Sequence, residues 1–266
     1  MINFELPDSF ENDLIQISRE VGEWIKDQQK NLKLEQIEHK GLNDLVSYVD
    51  KTAESILVEK LSKLFPAGFL TEEEVTKNIK DEFVWVIDPL DGTTNFVHGL
   101  PIYSVSIALK MKEEYIAGVV NIPETKEIFS AIRGKGAKLN GQSIVVSEST
   151  DLHNSLIATG FPYHDFDRLE DYLRLLKKFI LTTRGVRRFG SAAIDLAYTA
   201  ACRFDAFYEY GLNEWDVAAG SLILEEAGGK VTSWKGDDKF VSHATILASN
   251  GSIHKAALEI IQSVFD

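Results

Sequence analysis

The sequence predicts an α/β protein of the α+β type, in which an antiparallel meander of strands has helices on either side. Three observations carry that expectation. Residues 103–111, 115–121 and 127–132 alternate in polarity and are rich in valine and isoleucine, the pattern of successive strands. Gly134, Gly136 and the Asn140-Gly141 pair punctuate the region, and Asn-Gly is a strong hairpin signal. Segments before and after the meander repeat apolar residues at three-to-four spacing, as amphipathic helices do.

The elements follow in order. Residues 8–31 place Phe10, Leu14, Ile15, Ile17, Val21, Trp24 and Ile25 at helical spacing among charges. Residues 38–44 are a polar break. Asp50 opens a second helix and suits its N-cap, with Ile56, Leu57 and Leu61 on the apolar side. Val84-Trp85-Val86-Ile87 reads as a buried strand. It ends on Asp88, because Pro89 has no N–H to give to a ladder. Residues 155–159 form a short strand. Residues 166–180 form a helix with Phe166, Leu169, Tyr172, Leu173, Leu176, Phe179 and Ile180 on its apolar side. A helix of small residues starts at Gly190-Ser191-Ala192-Ala193 and runs to Ala201. A strand covers 204–210. The next helix opens at Glu214-Trp215-Asp216 and stops at Gly228-Gly229, as a C-cap pair would. A strand over 245–248 and a helix over 253–264 close the chain.

Length and composition narrow the function. The 266 residues are 44% hydrophobic and 26% charged, which suits one large domain or two intimately packed halves, 1–145 and 146–266. The formal charge of −13 disfavours nucleic acid and anionic membranes as partners. An anionic substrate then needs metal ions or local cations. The one dense basic run is Arg184–Phe189, RGVRRF; ion pairing with the many acids is its expected role, with contact to substrate phosphate or a partner as the alternative. The single cysteine, Cys202, excludes an internal disulfide, and its apolar setting predicts a buried structural thiol. No apolar run reaches membrane-spanning length, and the opening MINFELPDSF has neither the basic nor the apolar part of a secretory leader. A cytoplasmic protein is expected.

The chemistry concentrates in Trp85–Phe96, WVIDPLDGTTNF. Asp88 and Asp91 stand three apart in a turn set by Pro89 and Gly92. Two carboxylates so placed can converge on one point, and Mg²⁺ prefers such oxygen ligands. The Gly92-Thr93-Thr94 that follows is expected to open a helix whose free N–H groups favour an anion. One strand–turn–helix junction thus offers a metal-binding part and a phosphate-binding part.

This stretch resembles the metal-site signature of the inositol monophosphatase family, D-P-[IL]-D-G-T-T-N-F. Three more segments agree with it. Glu72, in Thr71-Glu72-Glu73, stands where the family usually has the first glutamate of G-E-E, with Thr71 in place of the frequent glycine. Residues 43–54, NDLVSYVDKTAE, resemble the segment whose aspartate, here Asp50, orients the catalytic threonine, and Lys40 matches the lysine of a mobile loop. Residues 208–220, YEYGLNEWDVAAG, resemble the second signature, with its W-D-x-A-A-G core.

The resemblance implies a layered αβαβα sandwich of the sugar-phosphatase superfamily, usually homodimeric, and a Mg²⁺-dependent, often lithium-sensitive phosphomonoesterase. It assigns two or three Mg²⁺ to Glu72, Asp88, Asp91, Asp216 and the Leu90 carbonyl, with the Thr93 hydroxyl beside them. Asp50, Thr93 and Glu72 are the implied catalytic residues. Asp91, Gly92, Thr93, Gly190, Ser191, Ala192, Glu209 and Asp216 are the implied substrate contacts. The implied substrate is a small phosphorylated polyol. Inositol monophosphate is the expected one, with histidinol phosphate and fructose 1,6-bisphosphate as alternatives. Thr94-Asn95-Phe96 points away from relatives that act on nucleotide 3′-phosphates and read T-K-E-F. A regulatory binding protein with secondary phosphatase activity is the alternative of another class, and the intact ligand set argues against it.

Overall fold

The computed structural model describes residues 6–30, 37–39, 45–73, 79, 81–162 and 166–265, with 37–39 and 45–47 described by their backbone alone. In chain order the elements are α1 (Phe10–Gln29), β1 (Ile37–His39), β2 (Leu45–Ser47), α2 (Tyr48–Leu64), β3 (Gly68–Thr71), β4 (Phe83–Asp91) and α3 (Thr93–Val97). The meander follows as β5 (Ser104–Met111), β6 (Glu114–Ile122), β7 (Glu127–Ile132), β8 (Ala137–Leu139) and β9 (Gln142–Ile144). The rest comprises β10 (Leu156–Thr159), α4 (Leu169–Thr182), β11 (Gly185–Arg187), α5 (Ala192–Ala200), β12 (Ala206–Tyr210), α6 (Glu214–Glu226), β13 (Lys230–Thr232), β14 (Thr245–Ser249) and α7 (His254–Phe265).

Five layers result. A seven-stranded sheet keeps the order of the sequence, β3-β4-β5-β6-β7-β8-β9, and a five-stranded sheet has the order β11-β10-β12-β14-β13. Alternation along the strands feeds two cores at once. On β4, Trp85 and Ile87 join the core under α1 and α2, while Val84 and Val86 join the core under α5 and α6. The five-stranded sheet lies beyond α5 and α6, and its far face packs with Tyr172, Leu175 and Phe179 of α4 and Ala257 and Ile261 of α7. The layered αβαβα sandwich is the observed architecture. Asn140 and Gly141 both take positive φ, 50° and 80°, and close the β8–β9 hairpin where Leu139 pairs Gln142. Among the described residues, no helix is long and apolar enough to cross a membrane.

Four local expectations are corrected. β4 does not stop at Asp88. It runs to Asp91 through a bulge, with Asp88 opposite Ser106 and Asp91 opposite Ser104, so one extra residue sits on β4. Pro89 lies in that irregularity, where its missing N–H costs no ladder bond. Asp50 is not the N-cap of α2, which begins two residues earlier at Tyr48. Cys202 is exposed. It follows the C-cap of α5 with φ 63°, and the turn that ends the helix carries the thiol to the surface. On α4, Leu169, Leu173 and Ile180 are exposed, as is Phe166 just before it, and Tyr172, Leu175 and Phe179 are the buried face.

Candidate active site

The site forms where β4 and α3 meet the starts of α5 and α6. Asp88 and Asp91 are both buried, on the bulged end of a strand whose other residues are locked in two cores. The bulge turns a strand end into a cradle. Leu90 N–H donates to Asp88 Oδ1 at 2.9 Å, which holds that carboxylate over the turn. Gly92, with φ 92°, caps α3. A side chain there would meet the Ile102 carbonyl at 2.9 Å, so both conformation and space require glycine.

Thr93, the first residue of α3, places Oγ1 3.0 Å from both Asp50 Oδ1 and the Leu90 carbonyl. Asp50 is 1% exposed in the first turn of α2. The Thr93–Asp50 pair is therefore a part-buried tertiary contact between residues 43 positions apart.

Asp91 is held from the other side. Its Oδ2 accepts from Ser191 Oγ at 2.5 Å and from Ala193 N–H at 2.8 Å, at the start of α5. Ser191 also caps α5, accepting from Ile194 N–H. Ser191 thus orients Asp91. Burial pushes the Asp91 carboxyl up to about 6, against the lowering effect of Ser191, the α5 backbone and Arg188.

The other acids share this crowding. Burial raises Asp88 well above the usual carboxylate range, and the charges of Glu72, Asp91 and Asp216 raise it further. The Glu72 carboxyl reaches hydrogen-bonding contact with Asp88. Thr71 ends β3 in extended backbone rather than positive φ, so the departure from glycine leaves Glu72 directed at Asp88. Glu209, on β12, is 4% exposed and is likewise raised, by burial first and then by Asp216, with Arg188 opposing. Asp216, on the first turn of α6, accepts the Asn213 N–H at Oδ2 over 2.6 Å. It caps its own helix as well as facing the cluster. Among the described residues no three such side chains are already closed to metal-ligating distance. Mutual repulsion of buried carboxylates works against that closure, and a cation reverses it.

Every candidate among the described residues has a definite place. Glu72, Asp88, Leu90, Asp91 and Thr93 come together with Asp50 on the β4 side. Gly190, Ser191, Ala192, Glu209 and Asp216 face them from the second half of the chain. Lys40 lies outside the described residues. Arg188 of the basic run acts on Asp91, Asp195 and Glu209, in keeping with the expected role among acids.

Two residues escaped the sequence reading. Asn95 is buried and its Nδ2 lies 2.8 Å from both the Ile102 and the Phe189 carbonyls, tying α3 to the loop before α5. The only hint was its place in a dense motif. Gly160 is the other. A Cβ there would fall 2.0 Å from Glu209 Oε1, so its lack of a side chain makes room for that carboxylate.

Comparison with known proteins agrees with this geometry. The model of the inositol monophosphatase family matches residues 7–265. A Nus factor SuhB from Pseudomonas aeruginosa is 42% identical over 257 residues, covering 94% of this chain and 95% of the relative. The Nus factor SuhB of Escherichia coli K12 is 40% identical and covers 93% of each. The crystal structure of extragenic suppressor protein suhB from Bartonella henselae superposes with a TM-score of 0.90 at 38% identity, covering 96% of this chain and 99% of that one. An inositol monophosphatase from Anabaena superposes with a TM-score of 0.85 at 35% identity over 96% of both chains. With the family model spanning nearly every residue and the acids of both signatures facing one another, this chain is a member of the inositol monophosphatase family, a family of phosphatases.

Proposed function

We propose that this protein is a Mg²⁺-dependent phosphomonoesterase that hydrolyses inositol monophosphate to inositol and phosphate. One observation carries the reading: the buried carboxylates of Asp88 and Asp91 and the half-buried one of Glu72 stand beside the Thr93–Asp50 pair, across from Asp216 and Glu209. The residues fit a hard divalent ion. Every donor is oxygen, and burial leaves crowded negative charge that a cation would neutralise. Glu72, Asp88, Asp91, Asp216 and the Leu90 carbonyl would hold it. Bound there, Mg²⁺ supplies positive charge for the phosphate and the leaving oxygen and lowers the pKa of a water.

The chain's own groups do the rest. Thr93 donates its hydroxyl proton to Asp50, which turns its lone pairs toward an attacking water. As that water attacks phosphorus and the ester P–O bond breaks, the water's proton passes to Thr93 while the Thr93 proton passes to Asp50, and the leaving oxygen takes a proton from solvent to become the inositol hydroxyl. Backbone N–H groups of Gly92 and Thr93 hold the phosphate oxygens. Glu209 and Asp216 accept hydrogen bonds from polyol hydroxyls, and the small residues Gly190, Ser191 and Ala192 let the ring approach. The crystal structure of inositol monophosphate bound SaIMPase-II, at 26% identity and a TM-score of 0.76, supports this substrate class.

The test is phosphate release with Mg²⁺ from inositol 1-phosphate, histidinol phosphate, fructose 1,6-bisphosphate and adenosine 3′,5′-bisphosphate. A dominant rate on inositol 1-phosphate is expected. A dominant rate on another ester would replace the substrate and keep the mechanism, and no release with any would overturn both.

The protein is also expected to act as a homodimer in the cytoplasm. The apolar side chains exposed on α4, Leu173, Ile180 and Leu181, support a covered face there. A second reading follows from the name Nus factor carried by relatives about 40% identical. Complementation of a strain lacking such a relative distinguishes the two. Rescue by Asp91→Asn as well as by wild type would favour a role independent of turnover.

A further inference from the structure

We infer that Glu214 is a positioning residue: clamped by Lys110 and Tyr115 on the seven-stranded sheet, it sets the first turn of α6, and with it Asp216, against the carboxylates of β4. The inference rests on the reading of Asp216 as a metal ligand. The helix itself poses the problem. Residues Val217–Leu224 are wholly buried, and packing fixes them. The first turn, Glu214, Trp215 and Asp216, is only half-buried, so packing alone leaves it free to fray. Yet that turn carries the acid that must meet Asp88 and Asp91, and metal–ligand distances tolerate only about 0.2 Å.

Glu214 Oε1 accepts from Lys110 Nζ at 2.7 Å and from Tyr115 Oη at 3.1 Å. The lysine and glutamate side chains are 18% and 16% exposed, so the pair is shielded and charge-assisted. Lys110 and Tyr115 face each other on one rung of the β5–β6 ladder, beside a register shift. Both donors therefore come from one rigid place. Burial and the Glu214 charge keep the Tyr115 hydroxyl protonated, and it stays a donor.

β5 acts as a ruler between the two groups of acids. Ser104, Ser106 and Lys110 lie on one face of the strand, the face toward α5 and α6. Ser104 is opposite Asp91 and lies 3.4 Å from Ser191 Oγ, the cap of α5. Ser106 is opposite Asp88 and its Oγ lies 3.4 Å from the Trp215 carbonyl. Lys110 then grips Glu214. The strand that pairs with the metal-site strand thus measures where both helices begin. A negative side chain at a helix start also favours the helix dipole, and that role alone needs neither Lys110 nor Tyr115.

The experiment titrates Mg²⁺ alone into the full-length protein by calorimetry, with wild type, Lys110→Met, Tyr115→Phe, Glu214→Gln and the Lys110→Met/Glu214→Gln pair. Thermal melting without Mg²⁺ and phosphate release at saturating Mg²⁺ accompany it. Loss of a group that orients a metal ligand typically weakens metal binding about tenfold or more. We expect that loss in Lys110→Met and Glu214→Gln, a smaller one in Tyr115→Phe, and a double variant no weaker than its weaker parent. Turnover at saturating Mg²⁺ stays near wild type. Tyr115→Phe keeps the ring and the fold, so an answer survives if the charged variants misfold. Folded variants with wild-type Mg²⁺ affinity would overturn the inference and leave the metal reading standing. A wild type that binds no Mg²⁺ would overturn the metal reading and this inference with it.

Discussion

The two sheets are assembled by different rules. In the seven-stranded sheet every strand pairs with its neighbour in sequence, and from β4 onward the pairing is antiparallel throughout. In the five-stranded sheet, by contrast, β10 pairs in parallel with both β11 and β12, and the later strands return antiparallel. From β5 to β9 the first arrangement needs only turns. The second needs crossovers, and α4 and α5 are those crossovers. The difference reaches the site. The meander sheet presents its acids on a rigid strand, whereas the second half of the chain brings helix starts to them. Asp91 and Ser191 are 100 residues apart, and Asn95 and Phe189 are 94 apart. The lesson is that one half fixes Asp88 and Asp91 on a strand, while the other half orients them and adds Glu209 and Asp216.

Four measurements would break or sharpen that contrast. The largest effect is expected at the charged side. Asp91→Asn keeps an oxygen that can accept from Ser191 and Ala193, so the fold should persist with a wild-type melting temperature. Turnover should fall by on the order of several kcal/mol of transition-state stabilisation. Steady-state phosphate release is the assay, and wild-type-like rates would sink the metal assignment.

The next concerns acid and the five-stranded layer. His254 is 2% exposed and bridges β13 to β14, with Nε2 2.9 Å from Thr232 Oγ1 and Nδ1 2.8 Å from Ser249 Oγ. Burial lowers its pKa to about 4 from 6.5. The unfolded chain therefore binds a proton that the folded one refuses between those values. This contribution is complete above pH 6.5 and is lost as pH falls toward 4, up to about 3 kcal/mol. Urea melts at pH 7 and pH 4.5 should show it, and His254→Gln should flatten that part of the profile. An unchanged profile in the variant would refute the assignment to His254.

A smaller loss is expected at the seam. Asn95→Ala leaves the half-buried Ile102 and Phe189 without the donor their carbonyls share, which costs about 2 kcal/mol. Because the seam orients Asp91, turnover should drop along with stability. If melting falls while kcat holds, the two halves are joined by other contacts.

The smallest concerns α4. Leu181 is 73% exposed, so Leu181→Lys should change monomer stability by no more than about 0.5 kcal/mol. Light scattering after size exclusion should nonetheless show dimer giving way to monomer. A wild type that is already monomeric removes the need for a covered face.

Legibility followed the same divide. The meander, its Asn-Gly hairpin and the helices on either side were readable because strand alternation, turn chemistry and helical period are local. Asp88, Asp91 and Thr93 were readable for the same reason, packed into one motif. The C-terminal acids were read only through their resemblance to a second motif. Gly160 and the Lys110–Tyr115–Glu214 clamp were not readable, and Asn95 only by its place in a dense motif, because each acts on a partner far away in sequence. Cys202 and the outer face of α4 were misread by one assumption, that apolar neighbours in sequence mean burial in space.

The sequence by itself determined which residue types are present and how they cluster: an acidic chain, a meander bounded by turns, and carboxylates set three apart beside glycine and threonine. These are consequences of spacing along the chain. Only the tertiary structure decided that β4 bulges rather than stops, that Asp50 reaches Thr93 instead of capping its helix, and that Ser191 orients Asp91. Each of those depends on which strand lies opposite and which helix start arrives, and register between distant segments is set by packing and hydrogen bonding that no local pattern encodes.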